Sequence, residues 1–438
     1  MRKIYFTSLL LAAAAAASAQ QAPPVRLMNA PDASSPHTFG GVLAVRQLPD
    51  GKLLVNDGGN RQLVLLGPTL QPAAIVADSV SGSPSSYGIR QGSLIAYVGD
   101  SSLFIDPAGL SMFVIGPAGT IARVASVPRS QDAATLGAQF SNNPGIDSQG
   151  RIVYRGLPGR GLPLPQTKGQ PFQFPDPPDS TPLVRVDLAT RKLDTAAFYK
   201  IPKVKMNITQ NERGIMMMSE INPMPLVDDW AVMSDGTVAI VRGQDFHVDW
   251  VNADGSLTAA PKIPFDWQHL ADDDKAAVID SARKAFEAAR ATAAANAQTQ
   301  GAAGGRGASP GDGTGQRMIV MNMAVGEATA KGTAAGGPGG PAITFVDASD
   351  LPDYRPAFSA NAARADWDDN LWIRTTATRA GAIAGPIYDV VNRKGELVDR
   401  VQVPAGRQII GFGKGGVVYM VARDDKVSWI ERAHRPIE

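Results

Sequence analysis

The chain has 438 residues, 44% of them hydrophobic, which is ample for a large core and, by length alone, for two or three domains. Its 42 basic and 41 acidic residues leave a formal net charge of +1, which argues against charge-driven binding to nucleic acid or to a membrane surface. Cysteine is absent, so disulfides, thiolate chemistry and a lipid-attachment cysteine are excluded.

The first twenty residues read as an export signal. Arg2 and Lys3 make a basic start, Leu9 through Ala17 an apolar run, and Ala17-Ser18-Ala19 a small-x-small cleavage pattern. A signal peptide over residues 1–19, cleaved after Ala19, predicts a periplasmic or secreted protein. No other stretch is long and apolar enough to span a bilayer as a helix. A monomer is expected.

Beyond the leader, Gly (45) and Pro (33) make up roughly 18% of the chain against about 12% in average proteins, the punctuation expected of many short strands joined by turns. Residues 24–30, PVRLMNA, read as a lone strand. Strands then follow at about 42–48, 52–57, 62–67 and 72–77, an antiparallel meander of four. The same unit recurs from Ser93, with turns at Gly99-Asp100, Asp106 to Gly109 and Gly116 to Gly119, and again near Ile146. First turns at Asp50, Gly99 and Gln149 give a period of roughly fifty residues.

The Pro-rich segment 156–180 interrupts the third unit, because proline cannot continue a central strand. The meander resumes around Ala189 to Lys192, and Asp235-Gly236 opens a fourth unit. Met216 to Met218 reads as an apolar strand or loop filler. Residues 269–298 are the one convincing helix, with Asp272 to Asp274 at its N-terminal end and a narrow stripe of Ala276, Val278, Ile279, Ala282, Ala285 and Phe286. Residues 299–341 are Gly/Ala/Pro-rich low complexity, for which disorder is expected. A fifth unit spans 365–403 and a sixth 409–433.

Six four-stranded units predict an all-β, six-bladed β-propeller. Blades 1–4 fall within residues 20–268 and blades 5–6 within 342–438. The sixth unit shows about three strands, so the segment 24–30 is expected to complete it and close the ring.

DGKLLVNDGGNRQLVLLGP, residues 50–68, resembles an NHL-type blade: a turn, a strand ending in Asp, then Asn-Arg opening the next strand. SDGTVAIVRGQDFHVDWVNADG followed by PFDWQHLADDDKAAVIDSARKAF resembles a blade-plus-helix arrangement in the same group. The whole chain is similar to exported bacterial six-bladed propellers of the NHL/TolB-like class. That resemblance implies a fold and leaves activity open, because propellers host enzymes, receptors and scaffolds alike.

Candidate site residues lie where the second strand of each unit ends: Asp57, Asp106, Arg155, Arg242, Arg374 and Arg423. Four arginines at comparable offsets make a candidate anion-binding face, weighed against arginines that pair with neighbouring blades or face solvent. In RGQDFHVDW, residues 242–250, strand alternation puts Asp245, His247 and Asp249 on one side. Such a row either binds a metal or moves a proton, or it holds neighbouring blades together. His37, His269 and His434 lie apart from it in sequence. The tryptophans read mostly as core, with Trp267, Phe172 and Phe174 as candidates for exposed contacts.

The reading that follows is a binding module recognising a small molecule, peptide or glycan through its channel-face loops, without a cofactor and without nucleic-acid partners. A partner-dependent scaffold, with the helix docking elsewhere, is a further reading. The alternative is a metal-dependent lyase or lactone hydrolase, as in NHL-like propellers that hold a divalent metal in the central channel. No G-x-S-x-G, P-loop or H-E-x-x-H pattern is present.

Overall fold

The computed structural model describes residues 22–137, 144–157, 178–301, 343–377 and 385–436, apart from positions 81, 84, 89, 204, 212, 213, 253, 425 and 426. The expected leader, residues 158–177 of the Pro-rich insert and residues 302–342 of the low-complexity stretch lie outside the described residues.

Two short strands come first, β1 (Val25–Leu27) and β2 (Ala33–Ser34). Blade 1 follows as β3 (Val42–Gln47), β4 (Leu53–Asp57), β5 (Gln62–Leu66) and β6 (Pro72–Ala77). Blade 2 is β7 (Ser93–Ala96), β8 (Ser102–Asp106), β9 (Ser111–Ile115) and β10 (Ile121–Ser126), and a short helix, α1 (Ala133–Gly137), leads out of it. Blade 3 is β11 (Gly145–Ile146), β12 (Ile152–Arg155), β13 (Ser180–Val186) and β14 (Leu193–Lys200). A hairpin, β15 (Lys205–Asn211) and β16 (Gly214–Ile221), intervenes before blade 4, which is β17 (Asp229–Val232), β18 (Val238–Arg242), β19 (His247–Val251) and β20 (Leu257–Ala259). Helix α2 (Asp272–Gly301) and β21 (Ile343–Phe345) precede blade 5: β22 (Phe358–Ala365), β23 (Leu371–Thr375), β24 (Ile387–Val391) and β25 (Leu397–Gln402). Blade 6 ends the chain with β26 (Arg407–Phe412), β27 (Val417–Arg423) and β28 (Ser428–His434).

Each blade is an antiparallel meander whose first strand is innermost, and six blades form a propeller ring. Aspartates at the turns explain the regular punctuation. Asp50, Asp147, Asp235 and Asp366 each accept the amide two residues on, which closes the turn between first and second strands. The core is divided among the blade interfaces. Leu54, Leu94, Phe104 and Phe113 join blades 1 and 2, Trp230, Val153 and Ile240 join blades 3 and 4, and Trp372, Tyr388 and Met420 join blades 5 and 6. Blade 6 packs its innermost strand against that of blade 1, which completes the ring. The approach is close at Gly411, where an added Cβ would stand 2.6 Å from Val45 Cγ2.

The N-terminal segment does close blade 6, but through different residues from those expected. The fourth strand of that blade is β2, paired antiparallel with β28, and the hydrogen bonding runs from Asp32 to Phe39. The expected segment 24–30 instead supplies β1, which adds to blade 5 parallel to β25. The physical reason is electrostatic. Arg26 binds the buried Asp399 of β25 in bidentate fashion, at 3.0 and 2.7 Å, and so fixes the strand to that edge.

A seventh, smaller sheet, β15-β16-β21, was not evident from the sequence. Its third strand arrives from beyond α2 and pairs parallel with β16. Helix α2 lays Val278, Ile279 and Phe286 of its expected stripe against Phe345, Val346 and Leu351, and Lys275 Nζ meets Asp353 at 2.7 Å.

Asp389, in the third strand of blade 5, has no exposed surface, and its Oδ2 finds no donor. Burial pushes its carboxyl up to about 6 from the ordinary 3.8, against the opposing pull of Arg400. The folded state therefore holds this proton more tightly than the unfolded chain does. The carboxylate costs stability above about pH 6, and the cost is relieved as pH falls toward 4. Asp389→Asn is expected to be more stable relative to wild type at pH 7.5 than at pH 4, by about 2–3 kcal/mol, in urea titrations at both pH values. A difference that does not change with pH would contradict this.

Candidate functional site

The six residues singled out at the ends of second strands lie on one rim of the ring, each in its own blade. Their roles differ. Asp57 is fully buried and accepts five hydrogen bonds, from the amides of Gly40, Gly41, Gly59 and Asn60 and from Asn60 Nδ2. It ties the entry of blade 1 to the turn after β4. Asp106, also buried, does the same in blade 2 through the amides of Gly88 and Ala108. Backbone donors engage both carboxylates, which gives each a structural role in closing its blade. Among the described residues, no three His, Asp or Glu side chains converge as metal ligands would. The divalent ion implied by the family resemblance therefore finds no fitting donor set among the described residues. Arg374 is half-buried, and Arg423 is exposed at the end of β27.

Arg242 is different. It sits at the mouth of a crevice of about 330 Å³ between blades 3 and 4. The chain leaves blade 3 at Lys200 for the small sheet and returns at Asp228, and these two residues exchange hydrogen bonds: the Lys200 amide to Asp228 Oδ2, the Asp228 amide to the Lys200 carbonyl. The inserted sheet thus starts and ends at the crevice. One wall is Ser180, Phe198, Tyr199 and Lys200; the other is Asp228, Arg242, Gln244, Asp245 and His247.

The β18–β19 ladder pairs Arg242 with His247, so Arg242, His247 and Asp249 share one face. Arg242 bridges Asp228 at 2.8 Å and Asp249 at 2.7 Å. Burial works against its charge, but the two carboxylates outweigh it, and the guanidinium is held above its ordinary value. His247 Nδ1 lies 2.6 Å from Asp245 Oδ1, and Nε2 lies 3.1 Å from Asp249 Oδ1. Both contacts are hydrogen bonds at once only when both ring nitrogens carry protons. The result is a continuous row: Asp228, Arg242, Asp249, His247, Asp245. Asp245 ends it with its side chain 34% exposed and Lys262 at 3.5 Å. Burial opposes its ionisation, yet the bond to His247 and the charges of His247 and Lys262 bring its carboxyl below the ordinary range. On the opposite wall the carbonyl of Phe198, a residue 60% exposed, accepts from Arg242 Nη1, and the next residue, the buried Tyr199, packs on Trp230, its phenol pushed by burial up to about 12 against the charge of Arg155.

The sequence brought Arg242, Asp245 and His247 together, and the structure keeps them together. It adds Phe198 and Tyr199 from β14 and Asp228, which immediately precedes β17. Arg155 stands within electrostatic reach of the crevice through Tyr199, whereas Asp57, Asp106, Arg374 and Arg423 are not among its lining residues.

No protein-family model matches the chain, and no curated protein matches it. Solved structures share its chain path. A provisionally named exported protein from Bacteroides fragilis aligns over 95% of this chain and 95% of its own, at 10% identity and a TM-score of 0.40. A gluconolactonase from Xanthomonas campestris aligns over 95% and 99%, at 9% identity and 0.38. Virginiamycin B lyase from Staphylococcus aureus aligns over 91% and 86%, at 10% identity and 0.35. Scores at this level carry no inference about chemistry.

Proposed function

We propose that this propeller is a binding module that takes a polyhydroxylated small ligand, such as a sugar, in the crevice between blades 3 and 4. The observation that carries the reading is one crevice lined on one wall by the exposed Phe198 and on the other by the part-exposed carboxylate Asp245. A pyranose offers both matching surfaces: a flat face of C–H groups for the ring and hydroxyl donors for the carboxylate. A volume of about 330 Å³ stands at the small end of ligand sites and suits one or two sugar rings. The row from Asp228 to His247 fixes Asp245 in place, so little side-chain freedom is lost on binding.

The lyase or lactonase alternative draws less support, because Asp57 and Asp106 are committed to backbone amides and both nitrogens of His247 are engaged by carboxylates. Export and membership of the NHL/TolB-like class complete the proposal, supported by the leader pattern and by the blade motif at residues 50–68.

A glycan array followed by calorimetric titration of the retained sugar tests the proposal. Phe198→Ala and Asp245→Asn are each expected to weaken binding roughly tenfold or more, while both variants keep the wild-type circular dichroism spectrum. Retention of no sugar, or affinity unmoved by either substitution, would sink the reading.

A further inference from the structure

Blade 5 carries two arginines set close together on one face of its sheet. Arg364, on β22, lies opposite Trp372 in the ladder, and Arg374 lies two residues beyond Trp372 on β23. Both side chains therefore leave the sheet on the same face, as diagonal neighbours roughly 7–8 Å apart at the backbone. β22 is the innermost strand of its blade and packs beside β17 of blade 4, which places Arg364 at the wall of the central channel. Both residues are half-buried.

Several cations elsewhere in the ring have partners. Arg46 bonds to Ser102 Oγ and the Ser101 carbonyl and lies over the Trp367 ring; Arg400 meets Asp389, and Arg407 meets Glu431. The side chains of Arg364 and Arg374 make no hydrogen bond or ion pair among the described residues. Asp229, the acid whose field Arg364 feels, accepts the amides of Ala362 and Ala363 through Oδ2. Burial holds Arg364 below its ordinary value, and the charge of Arg374 adds to the effect, against Tyr388 and Asp229. Like charges set side by side on one sheet face are destabilising unless something neutralises them.

We propose that Arg364 and Arg374 together hold a small oxyanion, the carboxylate or phosphate group of a free solute, at the channel wall of blade 5. Two planar guanidinium forks match such a group in bidentate fashion, which a lysine pair would not do. The site is separate from the sugar crevice, whose exposed group is a carboxylate, so either proposal can fail without the other.

The test is calorimetric titration and thermal melting of the full chain with inorganic phosphate and, in parallel, succinate, at ionic strength matched with sodium chloride. Arg364→Gln, Arg374→Gln and, as a control on the exposed rim, Arg423→Gln are compared with wild type. One or both anions are expected to bind saturably and raise the melting temperature, the preferred one reporting whether phosphate or carboxylate is the better fit. Binding should weaken roughly tenfold or more in each of the first two variants and stay unchanged in the control. Without anion, those two variants should melt no lower than wild type, because each relieves a like-charge contact. Equal stabilisation by chloride alone, binding that survives both substitutions, or a lowered melting temperature in the anion-free variants would each overturn the proposal.

Discussion

Replacing Phe39 by alanine is expected to lower the stability of the protein by about 3–5 kcal/mol, the range for a fully buried phenylalanine lost from a core. Phe39 is the residue on which ring closure converges. Its ring is buried with Val42, Leu53, Val421 and Ile430, which come from the first and last blades. Its amide donates to the Ser428 carbonyl at 2.8 Å, and its carbonyl accepts the Ser428 amide and Oγ at 3.2 and 3.0 Å. Truncation would open a cavity between the first and last blades, whereas Phe39→Leu, nearer in volume, should cost about 1 kcal/mol. Arg26→Ala, at the edge of blade 5, should cost less than Phe39→Ala, because Asp399 keeps Arg435 at 2.9 Å. Urea unfolding of the three variants gives the ranking. A loss below about 1 kcal/mol for Phe39→Ala would mean that the ring does not depend on this closure.

Asp57→Ala is expected to cost about 3–4 kcal/mol for a different reason, the stranding of buried donors. Four backbone amides and one side-chain amide converge on this carboxylate. Each donor left unpaired costs about 1–3 kcal/mol, and water entering the space of the lost carboxylate recovers part of the sum. Asp57→Asn should cost roughly half as much. It retains an oxygen for the three amides that reach Oδ1 but turns an NH2 group toward the Gly40 amide and Asn60 Nδ2. The experiment also separates structure from metal chemistry. A turn-closing Asp57 predicts that chelator leaves the wild-type unfolding curve unmoved; a ligand role predicts that chelator reproduces the loss seen in the alanine variant.

Much of the ring was legible because its information is local. Blade 1 could be read from alternating apolar runs between Asp-Gly punctuation, and the same turn chemistry at Asp147, Asp235 and Asp366 carries the repeat. The closing strand was not legible. Residues 32–39 contain one proline and two serines rather than an apolar alternation, and their hold is backbone bonding plus one buried ring. The small sheet was missed because β21 reaches β16 from more than a hundred residues away, where no periodicity connects them. The site divides in the same manner. His247, Asp245 and Asp249 are placed together by a two-residue period, and the β18–β19 hairpin adds Arg242. Asp228 and Phe198 join only because blade 3 packs against blade 4 across an insertion, a relation that neither composition nor spacing contains.

Amide hydrogen exchange with and without the sugar retained on the array tests the central claim most directly, because it reports where the ligand sits. Binding in the proposed crevice predicts new protection at residues 198–200 and 243–247 and unchanged exchange along β22 and in the turns of blades 1 and 2. Protection centred on the channel wall or on the rim at Asp57 and Asp106, with 198–200 and 243–247 unaffected, would contradict it.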